Sequence, residues 1–218
     1  MTQHTGLLMD TASITDELLE LAHRGELIAY FGYGSLVNPF THRTDILTYQ
    51  KATLKGWRRT WQARPDMHPD PIALLSSSPG AAADRLSGLL VFDRFQNLPD
   101  LDAREAGYTR HKLPHDAVEM DFDVPAECPI YVYEGQAPAQ PDRQHAILQS
   151  YLDAVLQGYF LMYGEQGVRE FLTTTGAFDT PILRDRGDPR YPRHVSLDPA
   201  QRTLIDDVIF DLTFIDQF

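Results

Sequence analysis

Cysteine is almost missing from this chain: Cys128 stands alone in 218 residues, so neither an intramolecular disulfide nor a cluster of thiolate metal ligands can form. Set between Glu127 and Pro129, with no histidine or base pattern around it, Cys128 reads as a small buried filler. Basic side chains are scarce, 19 Lys and Arg against 31 Asp and Glu, which gives a formal net charge of −12 and a pI near 4.9. That balance excludes nucleic acid and anionic membranes as main partners, since both require a basic face. An anionic small molecule would have to be met by locally placed arginines or by backbone amides. Long uncharged apolar runs are absent too, and Met1–Asp10 has neither the basic start nor the apolar centre of a secretory signal. These absences predict a cytoplasmic protein without membrane spans. No internal repeat or domain-boundary linker is visible, so a tail over residues 1–12 and a single domain over 13–218 are expected, with the oligomeric state left open.

What the chain does have is the stretch Leu27-Ile28-Ala29-Tyr30-Phe31-Gly32-Tyr33-Gly34-Ser35-Leu36-Val37-Asn38-Pro39. Apolar, aromatic and branched residues run into two glycines, a serine and a proline, the pattern of a buried strand breaking into a tight loop. The loop is not a dinucleotide fingerprint, because Val37 fills the place of the third glycine. It is not a nucleophile elbow either, because Tyr33 and Val37 stand where G-x-S-x-G needs glycines. A phosphate loop would end in Gly-Lys-Ser/Thr, and this one does not. Two readings remain open from the stretch itself. The amides of Gly34, Ser35 and Leu36 form a small nest for a carboxylate or oxyanion, or the glycines serve only the bend.

Along the chain, a helix starts near Ser13 and ends at Gly25, and strands are expected over 52–54 and 57–63, 71–75, 86–92, 108–113, 117–123 and 129–133. Residues 66–71, 76–83 and 135–142 read as loop. Asn97 and Pro99 begin a short helix that puts Glu105 in its last turn before Gly107. Apolar positions at spacings of three and four predict a long helix over 142–163, stopped by Gly164, then a shorter one from Gln166 to Thr174. Asp198 begins a last helix. The stretch 180–194 is polar, basic and unpatterned.

Glu105 is the acid that stands out. At a helix C-terminus its carboxylate faces the negative end of the peptide dipoles, which raises its proton affinity and suits it to act as a base. The alternative is an ordinary solvated glutamate beside Arg104. Tyr33-Gly34-Ser35-Leu36 after an apolar strand, taken with Leu101-Asp102-Ala103-Arg104-Glu105-Ala106-Gly107-Tyr108-Thr109-Arg110, resembles the gamma-glutamylcyclotransferase-like superfamily, in its bacterial ChaC- and AIG2-related branch. Gly56-Trp57-Arg58-Arg59 and the segment Tyr151-Leu152-Asp153 with Gly158 extend the resemblance to most of the chain. In place of the tryptophan common in the glutathione-specific branch, this chain has Asn38.

The resemblance implies an α+β fold, a mixed β-barrel-like sheet with flanking helices, in which the Tyr33-Gly34-Ser35-Leu36 loop and Glu105 line one cavity. It also implies a reaction: release of 5-oxoproline from a gamma-glutamyl peptide or amine, with the substrate's own α-amine as nucleophile and Glu105 as general acid and base. Tyr108 and Arg110 are expected beside the substrate, with Arg190, Arg193 and His194 ranked behind them. No metal or other cofactor is needed by that scheme. Histidines 42, 68, 111, 115, 145 and 194 show no ligand pair at helical spacing, and Pro114 forbids a helix through His111 and His115. A binding protein of the same fold without catalysis is the rival reading, whereas a hydrolase with Ser35 as nucleophile lacks an elbow and a histidine partner.

Overall fold

Strand β1, Leu27–Gly32, is buried at every residue. It lies between β5 (Arg85–Arg94), which is antiparallel to it, and β8 (Ile130–Gly135), which is parallel. A strand flanked on both edges and covered on both faces accounts for the unbroken apolar run before Gly32. The computed structural model describes residues 11–42, 44–64, 70–135 and 145–217. Residues 1–10 of the tail expected over 1–12, His68, most of the 66–71 loop and the Pro- and Gln-rich stretch over 136–142 lie outside them, while residues 11 and 12 belong to the first helix.

In the same sheet, β2 (Thr48–Lys55) pairs with β5 and carries β7 (Val118–Glu119) at its edge, while β6 (Tyr108–Leu113) pairs with β8. The strand order is β6-β8-β1-β5-β2-β7. A second sheet holds β3 (Trp57–Ala63), β4 (Ile72–Pro79), β9 (Ala146–Leu148), β10 (Thr175–Gly176), β11 (Ile182–Leu183) and β12 (Phe214–Ile215), in the order β10-β3-β4-β9-β11-β12. Both sheets are mixed and curl as half-barrels, giving the α+β class expected. Among the described residues the helices are α1 (Thr11–His23), α2 (Leu98–Arg104), α3 (Gln149–Thr174) and α4 (Pro199–Val208). None is long and apolar enough to cross a membrane.

The core cluster joins both sheets to α3, with Tyr30, Phe31, Trp61, Phe92, Tyr159 and Phe171 among its fully buried side chains. Gly88 of β5 is glycine because a Cβ there would lie 2.2 Å from the Gly32 carbonyl oxygen, the close approach its place in an apolar strand suggested. Cys128 is buried, and burial pushes its thiol up to about 12, which fits the filler reading.

Three elements differ from the sequence reading. Strand β4 continues through Ser76, Ser77 and Ser78, where a loop was expected, because all three pair with β3. The Ser76 hydroxyl accepts the Gly135 amide at 2.8 Å and Ser77 donates to the Tyr133 carbonyl at 3.3 Å. Pairing and side-chain bonding thus override the low strand propensity of serine. The helix expected from residue 142 begins only at Gln149, since Ala146–Leu148 pair with β4 and β11 instead. The strand expected over 117–123 is reduced to Val118–Glu119. Gly164, with φ of 67°, breaks α3 as expected. Asp198 caps α4 reciprocally with Gln201.

Candidate active site

At the end of β1 the chain turns back on itself. A Cβ on Gly32 would lie 2.7 Å from Leu36 Cβ and 3.0 Å from the Leu36 carbonyl, so the return of the loop onto its own strand requires glycine. Residues Ser35–Val37 form a single 3-10 turn, in which Val37 donates to the Gly34 carbonyl and Asn38 to the Ser35 carbonyl, each at 3.0 Å. The amides of Ser35 and Leu36 open that turn and have no acceptor within it. Gly34 has φ of −115°, so it is not there for a left-handed backbone. Crowding explains it, since a Cβ would sit 3.1 Å from the Tyr151 hydroxyl.

Buried polar groups fix the loop from both sides. Asn38 is fully buried and donates to the Ala154 carbonyl at 2.8 Å and to Gln157 at 2.9 Å, bolting the turn to α3. Gly158 makes room for it, because a Cβ there would meet the Asn38 backbone at 2.8 Å. On the far side, Arg59 donates to the Tyr33 carbonyl at 3.0 Å and to Thr175 at 2.8 Å, and it also bonds the Tyr159 hydroxyl. Its guanidinium lies 4.0 Å from the centre of the Phe171 ring and is 2% exposed. Since a trans peptide carries its C=O and N–H on opposite sides, holding the Tyr33 carbonyl turns the Gly34 N–H away from Arg59.

Glu105 is the C-cap of α2, and the chain leaves through Gly107 at φ of 84°. Its side chain is 16% exposed and pairs with Arg104 Nε at 3.1 Å. The carboxyl is held above its ordinary proton affinity by burial, against the opposing pull of Arg104, Arg193 and Arg64. Burial is the leading cause, and the dipole of α2, the cause expected from sequence, belongs to a helix of only seven residues. Arg104 ties the acid to the loop, donating to the Thr41 carbonyl at 2.8 Å and to Ser35 Oγ at 3.4 Å.

Of the residues singled out from sequence, Tyr33, Gly34, Ser35, Leu36, Glu105 and Tyr108 line one cavity together. Arg110 is not brought there: it pairs with Asp102 at 2.6 Å and lies over the Tyr131 ring at 4.8 Å. Arg190 likewise pairs with Asp70 at 3.0 Å. Phe31, Leu75, Tyr133 and Tyr151 complete the lining. Tyr33 donates to the Tyr133 carbonyl at 2.5 Å and Tyr108 to the Leu75 carbonyl at 2.7 Å. Burial pushes the phenols of Tyr33, Tyr108 and Tyr151 well up, so they stay protonated. The cavity is small, about 30 Å³, room for about two waters. Ser35 Oγ accepts from Tyr191 at 2.9 Å, and neither this tyrosine nor Arg104 is a base able to activate it. Among the described residues, no group of three or more His, Cys, Asp or Glu side chains is placed to hold a metal.

No family model matches the chain, and no curated protein matches it. A solved structure described as a gamma-glutamyl cyclotransferase aligns with a TM-score of 0.52 and 12% identity, over 84% of this chain and 99% of that one. The chain has the gamma-glutamyl cyclotransferase-like fold. Two further structures align at lower scores. A yeast gamma-glutamyl cyclotransferase specific to glutathione gives 0.43 at 15% identity, covering 86% of this chain and 97% of that one. YkqA from Bacillus subtilis gives 0.46 at 17%, covering 72% and 59%.

Several residues that shape the site in this cyclotransferase-like fold carry little sequence signal. Tyr151 belongs to the apolar stripe of α3 and looks like core. Tyr191 comes from the unpatterned 180–194 stretch, which buried polar bonds hold in place. Asp185 accepts the Ser150 amide at 2.7 Å and its hydroxyl at 2.5 Å, while Arg186 grips Asp153 through two bonds of 2.6 and 2.8 Å. The clustering of Asp185 and Arg186 in that stretch, facing a helix that carries Ser150 and Asp153, was the available hint.

Proposed function

We propose that this chain is a gamma-glutamyl cyclotransferase that releases 5-oxoproline from gamma-glutamyl peptides or amines. The observation that carries the reading is a buried glutamate of raised proton affinity, Glu105, sharing a cavity with the Tyr33-Gly34-Ser35-Leu36 loop. In the reaction the substrate α-nitrogen attacks its own γ-carbonyl carbon, a C–N bond forms to close a five-membered ring, and the bond to the leaving nitrogen breaks. α-Amines have pKa values near about 8 and are largely protonated at neutral pH, so a base must first remove a proton. Glu105 takes that proton and returns it to the departing nitrogen, and the second proton that the α-nitrogen sheds on ring closure follows, so the amine leaves in its ammonium form. Ring closure is intramolecular, so the pocket's task is to hold the folded-back conformer. The free amides of the turn then face the carbonyl oxygen as it gains charge, or the substrate α-carboxylate.

The test is incubation with gamma-glutamyl dipeptides, glutathione and gamma-glutamyl amines, with 5-oxoproline read by mass spectrometry. Turnover of any of these supports the reading. Saturable binding without 5-oxoproline would instead identify a binding protein of the same fold.

A further inference from the structure

A second, larger cavity of about 390 Å³ adjoins the first, and Tyr30, His42, Thr44, Asp100, Arg104 and Arg193 are among its lining residues. Arg104 links the two, since the guanidinium that lines this space holds Glu105 at 3.1 Å and reaches Ser35 Oγ at 3.4 Å, both lining residues of the first cavity. His42 closes another side by spanning the Tyr30 hydroxyl at 3.1 Å and the Leu36 carbonyl at 3.0 Å. The leaving amine must collect its proton from Glu105, so it departs on the Glu105 side of the reacting carbon. At about 30 Å³ the first cavity is too small to hold a leaving amino acid, whereas the second, at about 390 Å³, is large enough.

The chemistry of the second cavity is uneven. Arg104 spends its donors on Glu105, Thr41 and Ser35. Arg193 keeps one free: its buried Nε–H meets no acceptor among the described residues, while its guanidinium faces the Tyr191 ring at 5.7 Å and its charge acts on Glu105. A buried guanidinium donor left without a partner calls for an explanation, and a planar anionic group is the partner its geometry fits. Asp100, the acid of this cavity, is exposed to solvent.

Resting on the cyclotransferase reading, we propose that this cavity is the leaving-group subsite and that Arg193 binds the carboxylate of the departing amino acid or peptide. The preferred substrates are then gamma-glutamyl amino acids and peptides with a free carboxylate, ahead of gamma-glutamyl amines.

The experiment compares γ-glutamyl-alanine with γ-glutamyl-alaninamide, which differ only in that carboxylate, in the wild-type chain and in Arg193→Gln and Arg193→Lys. One charge-assisted contact corresponds to a preference in kcat/KM of about 10- to 100-fold for the acid, expressed mainly in KM. Arg193→Gln brings the ratio to within about three-fold of one, whatever the absolute rates, and Arg193→Lys restores part of it. Equal turnover of acid and amide by the wild-type chain overturns the subsite while leaving the cyclotransferase reading intact, and so does an acid-to-amide ratio unchanged in Arg193→Gln. Absence of turnover with both compounds and with the wider gamma-glutamyl panel overturns the cyclotransferase reading, and the subsite with it.

Discussion

Arg59→Met separates what stabilises this fold from what organises its site. Arg59 is 2% exposed, and no carboxylate lies within ion-pair distance of it among the described residues. Burial lowers its proton affinity, with partial relief from Tyr159. Exchanging a buried cation for an apolar chain of similar length recovers its desolvation cost, and such exchanges are often neutral or stabilising. Against that stand the lost bonds to Tyr33, Thr175 and Tyr159, each worth about 1.5–3 kcal/mol as a charged hydrogen bond. The Tyr33 carbonyl still lies within reach of the Tyr159 hydroxyl at 3.1 Å, which divides its one proton between that carbonyl and the Ser87 carbonyl at 2.7 Å. The net loss of stability is expected to stay below about 2 kcal/mol, a fall in Tm of at most about 8 °C for a chain of this size. The peptide that presents the Gly34 N–H would lose its charged clamp, and misplacing one such donor costs about 3–4 kcal/mol of transition-state stabilisation, or two to three orders of magnitude in kcat. Thermal melts run beside steady-state 5-oxoproline release read both quantities. A variant that melts like the wild type and turns over within about three-fold of it would refute the idea that Arg59 orients the loop.

Other substitutions probe neighbouring links. Ser35→Ala should lose less than about ten-fold in kcat, since the loop acts through its backbone and, among the described residues, the Ser35 hydroxyl bonds only Tyr191 and Arg104; an acyl adduct trapped on Ser35 would overturn this. Gly34→Val should lower kcat by about two orders of magnitude while leaving a folded protein, because its side chain would press on the Tyr151 hydroxyl from 3.1 Å; wild-type rates would show that the glycine serves only the bend. Burial and the nearby Arg104 lower the His42 pKa to about 4, and the neutral ring donates from Nε2 to Leu36 and accepts at Nδ1 from Tyr30. Above an ordinary histidine value of about 6.5 neither state is charged and nothing is lost. As pH falls towards 4, the unfolded chain takes a proton that the fold refuses, and stability drops by up to about 3 kcal/mol. Urea midpoints should therefore fall less steeply over that range in His42→Gln than in the wild type, and parallel slopes would contradict this. Because burial raises the proton affinity of Glu105, the acid limb of kcat/KM should lie above 4.5; a limb at or below that value would remove Glu105 as the titrating base.

Periodicity made the large elements legible in the sequence. The apolar run before Gly32, the break of the i, i+3, i+4 pattern at Gly164 and the Asp198 cap all encode local geometry, and each of these three features is present, although the helix before Gly164 starts later than its pattern suggests. Elements set by long-range pairing were harder to see. Ser76–Pro79 is strand only because β3 lies beside it, and Ala146–Leu148 is strand only because β4 and β11 flank it. The site divides the same way. Gly34, Ser35 and Leu36 are contiguous and Glu105 sits at a readable helix end, whereas Tyr151 lines their cavity from α3, and Tyr191, which bonds Ser35, and Arg193, which lines the second cavity, come from a stretch held by the Asp153–Arg186 and Ser150–Asp185 contacts. Arg110 misled because nearness in sequence to Tyr108 is no guide to which group a long side chain will find; Asp102 takes it.

The most direct measurement is 5-oxoproline release by the wild-type chain and by Glu105→Gln on the same gamma-glutamyl substrates, with binding followed in parallel by calorimetry. The amide keeps the shape of the acid and removes its ability to take a proton, so turnover should fall by at least about two orders of magnitude while the fold persists and substrate still binds. Near wild-type release of 5-oxoproline by Glu105→Gln would contradict the assignment of Glu105 as the general acid and base.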